Sequence, residues 1–279
     1  GKGYAVFTPS AASGETPFKV AKDSIETPFY RIALDEAMQF TSVFDKEAER
    51  ELLKQGEKGN VLRVYEDKPI YYDNWDIDIY YTQKSWVCDD VQSAEWVENG
   101  PVRAVLKVTR KFLQSTIEQK IIFYAKDRRI DFVTYVDWKQ HQLLLKTEFP
   151  VDINANEAAY DIQFGSLKRP THKNTSWDAA KFEVCGHKWA DLSETGYGVA
   201  LMNDCKYGYG ITEGKMTLSL VKSGILPNPT TDQEEHWFTY SLLPHLGDYN
   251  AAEVQQSAYC LNVPVYGVRA EAPSGKLEA

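Results

Sequence analysis

Two stretches carry side chains whose types and spacing could do chemistry. From Trp75 to Tyr81 the pattern has a period of two. Trp75, Ile77, Ile79 and Tyr81 share one face, and Asp76, Asp78 and Tyr80 share the other. Carboxylates two apart on a strand lie about 6.6 Å from each other. That is near the roughly 5 Å between nucleophile and acid in hydrolysis through a covalent intermediate. Beside aromatic rings, such a pair could equally hold sugar hydroxyls; a solvated strand face accounts for the same residues. The second stretch is His187–Gly210. Its apolar run Val199–Met202 has the pattern of a strand buried on both faces. Gly196, Gly198, Gly208 and Gly210 around it point to sharp turns or close backbone approach. The run opens into Asn203-Asp204-Cys205-Lys206-Tyr207, which suits either a ligand-facing loop or a plain hairpin turn.

Metal and nucleophile chemistry find little support. The histidines are His141, His172, His187, His236 and His245, in neither HxH nor HExxH spacing, so no zinc site is expected in this chain. His236 and His245 have no neighbouring acid or nucleophile in sequence and read as structural. Cys88, Cys185, Cys205 and Cys260 lack CxxC spacing and read as reduced thiols, which favours the cytoplasm. The formal charge of −9 argues against nucleic acid or an anionic membrane as partner. No apolar run reaches membrane-spanning length, and no charged-then-apolar leader opens the chain.

The elements that must position these residues are strands. Aromatic residues make up 13% of the chain, including 17 Tyr and 7 Trp, a composition that favours β structure. Residues 1–17 read as one short strand, Tyr4–Pro9, followed by a linker, and residues 18–279 as one β domain. Strands are expected at Ser24–Asp35, Phe40–Phe44 and Gly59–Tyr65. A meander follows: Val102–Phe112, Ile117–Tyr124, Ile130–Trp138 and Leu143–Phe149, with a turn at Asn99-Gly100. Val102, Ala104, Leu106 and Val108 share one face of it. Lys46–Lys54 holds good helix formers. Tyr160–Phe164 is a strand, Gly165–Asp178 a long polar loop, and Met216–Val221 and His236–Leu243 are strands. Val254, Ala258 and Leu261 have helical spacing, so Ala251–Asn262 is expected as a helix. The tail from Glu271 reads as disordered or cut. The fold class is all-β, a large antiparallel sandwich with one or two short helices at most.

Four segments, in order, resemble the late β region of glycoside hydrolase family 38, the retaining α-mannosidases. They are FTSVFDKEAERELL, GNVLRVYEDKPIYYDNWDIDIYY, RPTHKNTSWDAAKFEVCGHKWADLSE and HKWADLSETGYGVALMNDCKYG. The resemblance runs from about Ser24 to the end of the chain. It implies a β super-sandwich similar to galactose mutarotase, with strand–turn–strand instead of helix at Lys46–Lys54. The implied chemistry is retaining hydrolysis of terminal α-mannosides by an aspartate nucleophile, an acid and zinc. Those groups belong to an N-terminal catalytic domain that precedes this region, so the chain is expected to be a fragment with no catalytic residue of its own. The resemblance makes Asp73, Asn74, Trp75, Asp76, Asn203, Asp204, Lys206 and Tyr207 candidate substrate contacts on two loops facing that domain. Arg169, His172 and Asn174 become candidates for ordering a loop. The implied partners are the catalytic domain and a mannose-containing oligosaccharide; self-association stays open. Two other readings remain. One is a stand-alone aldose epimerase, which needs a His and Glu acid–base pair. The other is a carbohydrate-binding module with an exposed aromatic platform.

Overall fold

A computed structural model describes residues 5–6 and 14–269. The expected strand Tyr4–Pro9 and the tail from Glu271 lie outside the described residues, apart from Ala5 and Val6, which are not in a strand. Near the start, β1 (Lys19–Val20), β2 (Ser24–Glu26), β3 (Tyr30–Leu34), β4 (Phe40–Asp45) and β5 (Arg50–Glu51) form a small antiparallel sheet in sequence order. Lys46–Glu49 is a turn, so strand–turn–strand prevails over the helix propensity of this segment. The expected single strand Ser24–Asp35 is two, because Thr27 Oγ1 accepts from the backbone N–H groups of Phe29 and Tyr30 and folds the chain back.

Next come β6 (Val61–Glu66), β7 (Ser85–Val87), β8 (Asp90–Asn99), β9 (Arg103–Phe112), β10 (Ser115–Tyr124), β11 (Ile130–Asp137) and β12 (Leu143–Pro150). β13 (Glu157–Ile162), β14 (Gly165–Pro170), the helix α1 (Ser176–Ala179), β15 (Val184–Cys185), β16 (Trp189–Glu194) and β17 (Tyr197–Asn203) follow. β18 (Gly208–Thr212), β19 (Lys215–Ser223), β20 (Glu235–Leu246) and α2 (Val254–Asn262) complete the described chain. They build a nine-stranded sheet, β14-β13-β16-β17-β20-β11-β10-β9-β8, and a six-stranded sheet, β15-β18-β19-β12-β6-β7. The fold is the expected all-β super-sandwich.

The three sheets meet at an aromatic cluster. Phe132 lies 5.8 Å from Phe40, 5.7 Å from Phe149 and 4.8 Å from Tyr240, ring centre to ring centre. Phe40 comes from the small sheet, Phe149 from the six-stranded sheet, and Phe132 and Tyr240 from the nine-stranded one. All four are fully buried. Burial stabilises by roughly 2–3 kcal/mol per such side chain, and packing geometry adds about 1 kcal/mol per pair. A polar strut runs beside this cluster. The buried Arg110 donates to the carbonyls of Ala37 and Met38 and to Gln119, which donates to Tyr240 Oη.

β17 is buried along its whole length because both of its faces are covered. Val199 and Leu201 join the main core, whereas Ala200 and Met202 pack with Val254 and Ala258 of α2. That helix starts at Val254 and not at the expected Ala251, because Asp248 Oδ1 holds the N–H groups of Asn250 and Ala251 in a turn and Glu253 is left-handed (φ 51°).

Three further expectations fail. Trp75–Tyr81 is not a strand; it is a looped excursion ending in a short 3-10 helix, Ile79–Gln83. The excursion leaves β6 and returns as β7, and in between it is bound to the Gly224–Glu234 connection through Asp73 and Asn74 instead of pairing with a strand. Asp76 and Asp78 therefore do not share a strand face. Gly165–Asp178 is not all loop: Gly165–Pro170 is an edge strand paired with β13. Its polar sequence reflects exposure of both faces, the usual composition of a protected edge. Val102 lies before β9 and is exposed, outside the inward row of Ala104, Leu106 and Val108.

Candidate functional site

Both sequence-selected loops gather at one end of the sandwich. β17 ends there at Asn203, β11 at Asp137, β6 at Glu66 and β19 at Ser223. The connection Gly224–Glu234 crosses this end from β19 to β20, and the 67–84 excursion is fastened to it. Asp73, 4% exposed, is the fastener. Its Oδ1 accepts from the N–H groups of Ile225 (3.0 Å) and Leu226 (2.7 Å), and its Oδ2 from Gln142 Nε2 (2.9 Å). Burial alone would raise its pKa, but these hydrogen bonds outweigh it and hold the carboxyl below its ordinary value. Asn74 adds bonds between its N–H and Leu226 O and between its Nδ2 and Asn228 O, each 3.2 Å. Gly224 lies against Asn74 so closely that a Cβ there would clash.

The other loop is organised by the buried Asn203. Its Nδ2 donates to His187 O and Tyr209 Oη, and its Oδ1 accepts from the N–H of Lys206. Asp204 extends β20 sideways: its N–H donates to Thr239 O (3.1 Å) and its Oδ2 accepts from the N–H of Thr239 (2.9 Å). Lys206 Nζ lies 4.3 Å over the Phe238 ring. Burial lowers its pKa, against the raising influence of Cys205, Asp204 and Asp232.

The eight candidate contacts thus divide. Asp73, Asn74, Asn203 and Asp204 are committed to holding the loops, and Lys206 lies against Phe238. Trp75, Asp76 and Tyr207 face solvent, with the Trp75 ring tilted against Tyr72 at 5.3 Å. Sequence reasoning missed their most prominent neighbour. Trp237, 66% exposed, packs on Tyr135 at 5.2 Å over a depression that includes Glu118, Lys120 and Asp204. The alternation in HWFTYSLL carried the signal, since Phe238 and Tyr240 point to the core and Trp237 must point away.

Arg169 stacks on Tyr160 at 4.6 Å. His172 Nδ1 accepts from the N–H of Asn174 (3.4 Å) and lies 3.7 Å from Asp178. Thr175 caps α1 by accepting from the N–H of Asp178. These contacts tie down the segment between β14 and β15. His245 is buried against Asp191 at 2.7 Å, inside the nine-stranded sheet. Among the described residues no group of three His, Cys, Asp or Glu side chains could hold a metal ion. Among the described residues no helix is long and apolar enough to cross a membrane.

Comparison with known proteins gives these loops a context. The profile of the glycosyl hydrolases family 38 C-terminal domain matches residues 25–230. Alpha-mannosidase G of Dictyostelium discoideum is 42% identical over 248 residues, covering 87% of this chain and 23% of that protein. Alpha-mannosidase 2C1 of Homo sapiens is 37% identical over 253 residues, covering 90% of this chain and 24% of that protein. The chain therefore spans about a quarter of the length of these curated relatives. In fold, the crystal structure of an alpha-mannosidase from Enterococcus faecalis V583 superposes with a TM-score of 0.77 over 91% of this chain and 32% of that one, at 16% identity. The match over most of the chain and the identity to these relatives place it in one family: the chain belongs to the glycosyl hydrolase family 38 C-terminal domains.

Proposed function

We propose that this chain is the C-terminal β domain of a retaining α-mannosidase and buttresses an active site carried by an N-terminal catalytic domain. In this reading the nucleophile, the acid and the zinc all belong to that partner domain. The observation that carries the proposal is the gathering of both loops and the Trp237–Tyr135 pair at and beside one end of a family 38 sandwich. Trp75, Asp76, Tyr207 and Trp237 are the side chains free to meet a mannose-containing oligosaccharide, by ring stacking and by hydrogen bonds to hydroxyls. Asp73, Asn74, Asn203 and Asp204 hold those loops at fixed positions, which is how a domain without reacting groups assists catalysis. A cytoplasmic location belongs to the same proposal; it is supported by four cysteines that are all free thiols.

The test is hydrolysis of p-nitrophenyl α-mannoside by this chain alone, with and without zinc, and again after adding the N-terminal domain. The expected result is no turnover alone and turnover with the partner domain. Zinc-dependent turnover by the chain alone that is lost on Asp76→Asn would place the reacting groups here and refute the proposal.

A further inference from the structure

The outward face of the six-stranded sheet carries charges that the proposed function does not use. It borders a cavity of about 780 Å3, within the roughly 300–1,000 Å3 of small-molecule sites. The cavity is lined by Arg63 and Tyr65 of β6, Glu148 of β12 and Lys215 of β19, with Tyr81 and Glu183 covering them. Two tyrosine–glutamate pairs stand side by side. Tyr65 Oη donates to Glu148 Oε1, and Tyr81 Oη donates to Glu183 Oε1 (2.6 Å). The two rings meet edge to face at 5.1 Å. Arg63 Nε donates to Glu148 Oε2 at 3.1 Å, and Lys215 Nζ lies 3.6 Å from Glu148 Oε1. Lys146, whose side chain is fully buried, donates to Glu183 Oε1 (2.6 Å) and Ser219 Oγ (3.0 Å).

This arrangement is expensive as structure alone. Buried ion pairs return little net stability, because desolvation offsets their attraction. The set is also incomplete. Glu183 has a 9% exposed side chain, and its Oε2 is buried without any donor. A buried carboxylate oxygen with no donor calls for a partner. Room for that carboxylate is kept by Gly210, where a Cβ would come within 2.9 Å of Glu183 Oε1.

We propose that this cavity binds a neutral, polyhydroxylated ring compound of monosaccharide or disaccharide size. Arg63 and Lys215 already face Glu148, and Lys146 faces Glu183, so the inner charges balance one another. Lys54 and Lys173 also line the cavity without a carboxylate partner, and the phosphorylated sugar below tests whether they take an anion. Hydroxyl groups suit such a lining, because one hydroxyl donates to Glu183 or Glu148 while accepting from Arg63 or Lys215. The Tyr81 and Phe182 rings, 6.3 Å apart, supply apolar surface for the ring's C–H face. This site lies on the opposite sheet from Trp237. Its fate is therefore independent of the substrate contacts proposed above.

The experiment is saturation-transfer NMR and calorimetry on this chain with mannose, glucose, galactose and methyl α-mannoside, and with mannose 6-phosphate as a charged probe. We expect a neutral sugar to bind in the millimolar range. Glu183→Gln should weaken it at least tenfold, and Tyr81→Phe and Lys215→Ala severalfold. Lys215 is half exposed, so its variant tests the site without threatening the fold. Leu167→Ala, on the exposed edge strand β14 and outside both sites, should leave binding unchanged, and thermal melts confirm that each variant is folded. Three results overturn the proposal. One is no binding of any neutral sugar at tens of millimolar. Another is tighter binding of the phosphorylated sugar than of its parent. The third is binding abolished by Trp237→Ala but untouched by Glu183→Gln and Lys215→Ala.

Discussion

Replacing Asp73 by alanine should destabilise the domain by about 3 kcal/mol. The carboxylate accepts three hydrogen bonds, two of them from adjacent backbone N–H groups in the β19–β20 connection. Hydrogen bonds to a charged group contribute about 1.5–3 kcal/mol each when fully buried, and a stranded donor costs about 1–3 kcal/mol. The connection lies at the rim, where water replaces part of the loss, so in place of the roughly 4.5–9 kcal/mol that three fully buried bonds would sum to, about 3 kcal/mol is expected. For a chain of this size that is a fall in Tm of roughly 6–12 °C. Asp73→Asn keeps an acceptor for both backbone donors, and its expected loss is about 1 kcal/mol. The pH dependence has a definite sign. The folded pKa of Asp73 lies below its unfolded value of about 3.9. Its contribution is therefore present above pH ~4 and is lost as the pH falls through the folded pKa. Thermal melts of wild type, Asp73→Ala and Asp73→Asn at pH 7 and in steps down through pH 4 measure this directly. The gap between wild type and Asp73→Asn should close in acid. A Tm for Asp73→Ala within about 2 °C of wild type at pH 7 would show that this carboxylate does not organise the loop, and would return it to the set of free ligand contacts.

Gly198→Ala should cost about 2–3 kcal/mol, since its Cβ would drive into Ser193 and the His245 ring; urea unfolding at constant m-value reads this. Of the three exposed cysteines, Cys205 should react slowest with a thiol reagent at pH 8. Burial, then its hydrogen bond to Asp204, pushes its thiol up to about 11. Mass spectrometry of alkylated peptides should show Cys205 lagging Cys185 and Cys260 at least ~10-fold, and Cys205→Ser should remove the slow phase. Asp76→Asn should leave stability within about 0.5 kcal/mol of wild type, because this exposed side chain holds nothing in place. A larger loss in its melt would mean that Asp76 is part of the scaffold.

Alternation revealed most of this molecule. The meander from β9 to β12 was readable because each strand buries one face against a common core, so the pattern of two is written into Ala104, Leu106 and Val108. β17 was readable for the opposite reason: α2 covers its second face, and the run Val199–Met202 is apolar throughout. The same rule misled at Trp75–Tyr81. There the period is real in the sequence, but Asp73 and Asn74 bind the segment to the Gly224–Glu234 connection, a long-range contact that the period does not encode. β14 failed in reverse, since a strand exposed on both faces looks like a polar loop. In the site, family resemblance located the right loops without separating anchors from free ligands. Asp73 and Asp76 look alike in sequence; what distinguishes them is the Ile225–Leu226 backbone 152 and 153 residues away. Lys146 and Glu183 were invisible for the same reason, because they become a pair only when β12 is laid under the segment after α1.

The position of β20 has a consequence for synthesis. It is the last strand among the described residues, yet it sits between β17 and β11. On one side of it lies β8–β11, made early; on the other lies the β13–β17 group, made late. Until residue 246 has emerged, the two parts of the large sheet have no common ladder, and two long strand edges stand open. A chain stalled or cleaved before Glu235 would leave both exposed, each a template for pairing with another molecule. Closure by a terminal strand also fixes pairings of very long sequence separation, such as Tyr240 with Asn60 across 180 residues. Folding of this domain should therefore be slow and late, nearly all-or-none at its C-terminal end. A nascent chain would need its edges shielded until that last strand arrives.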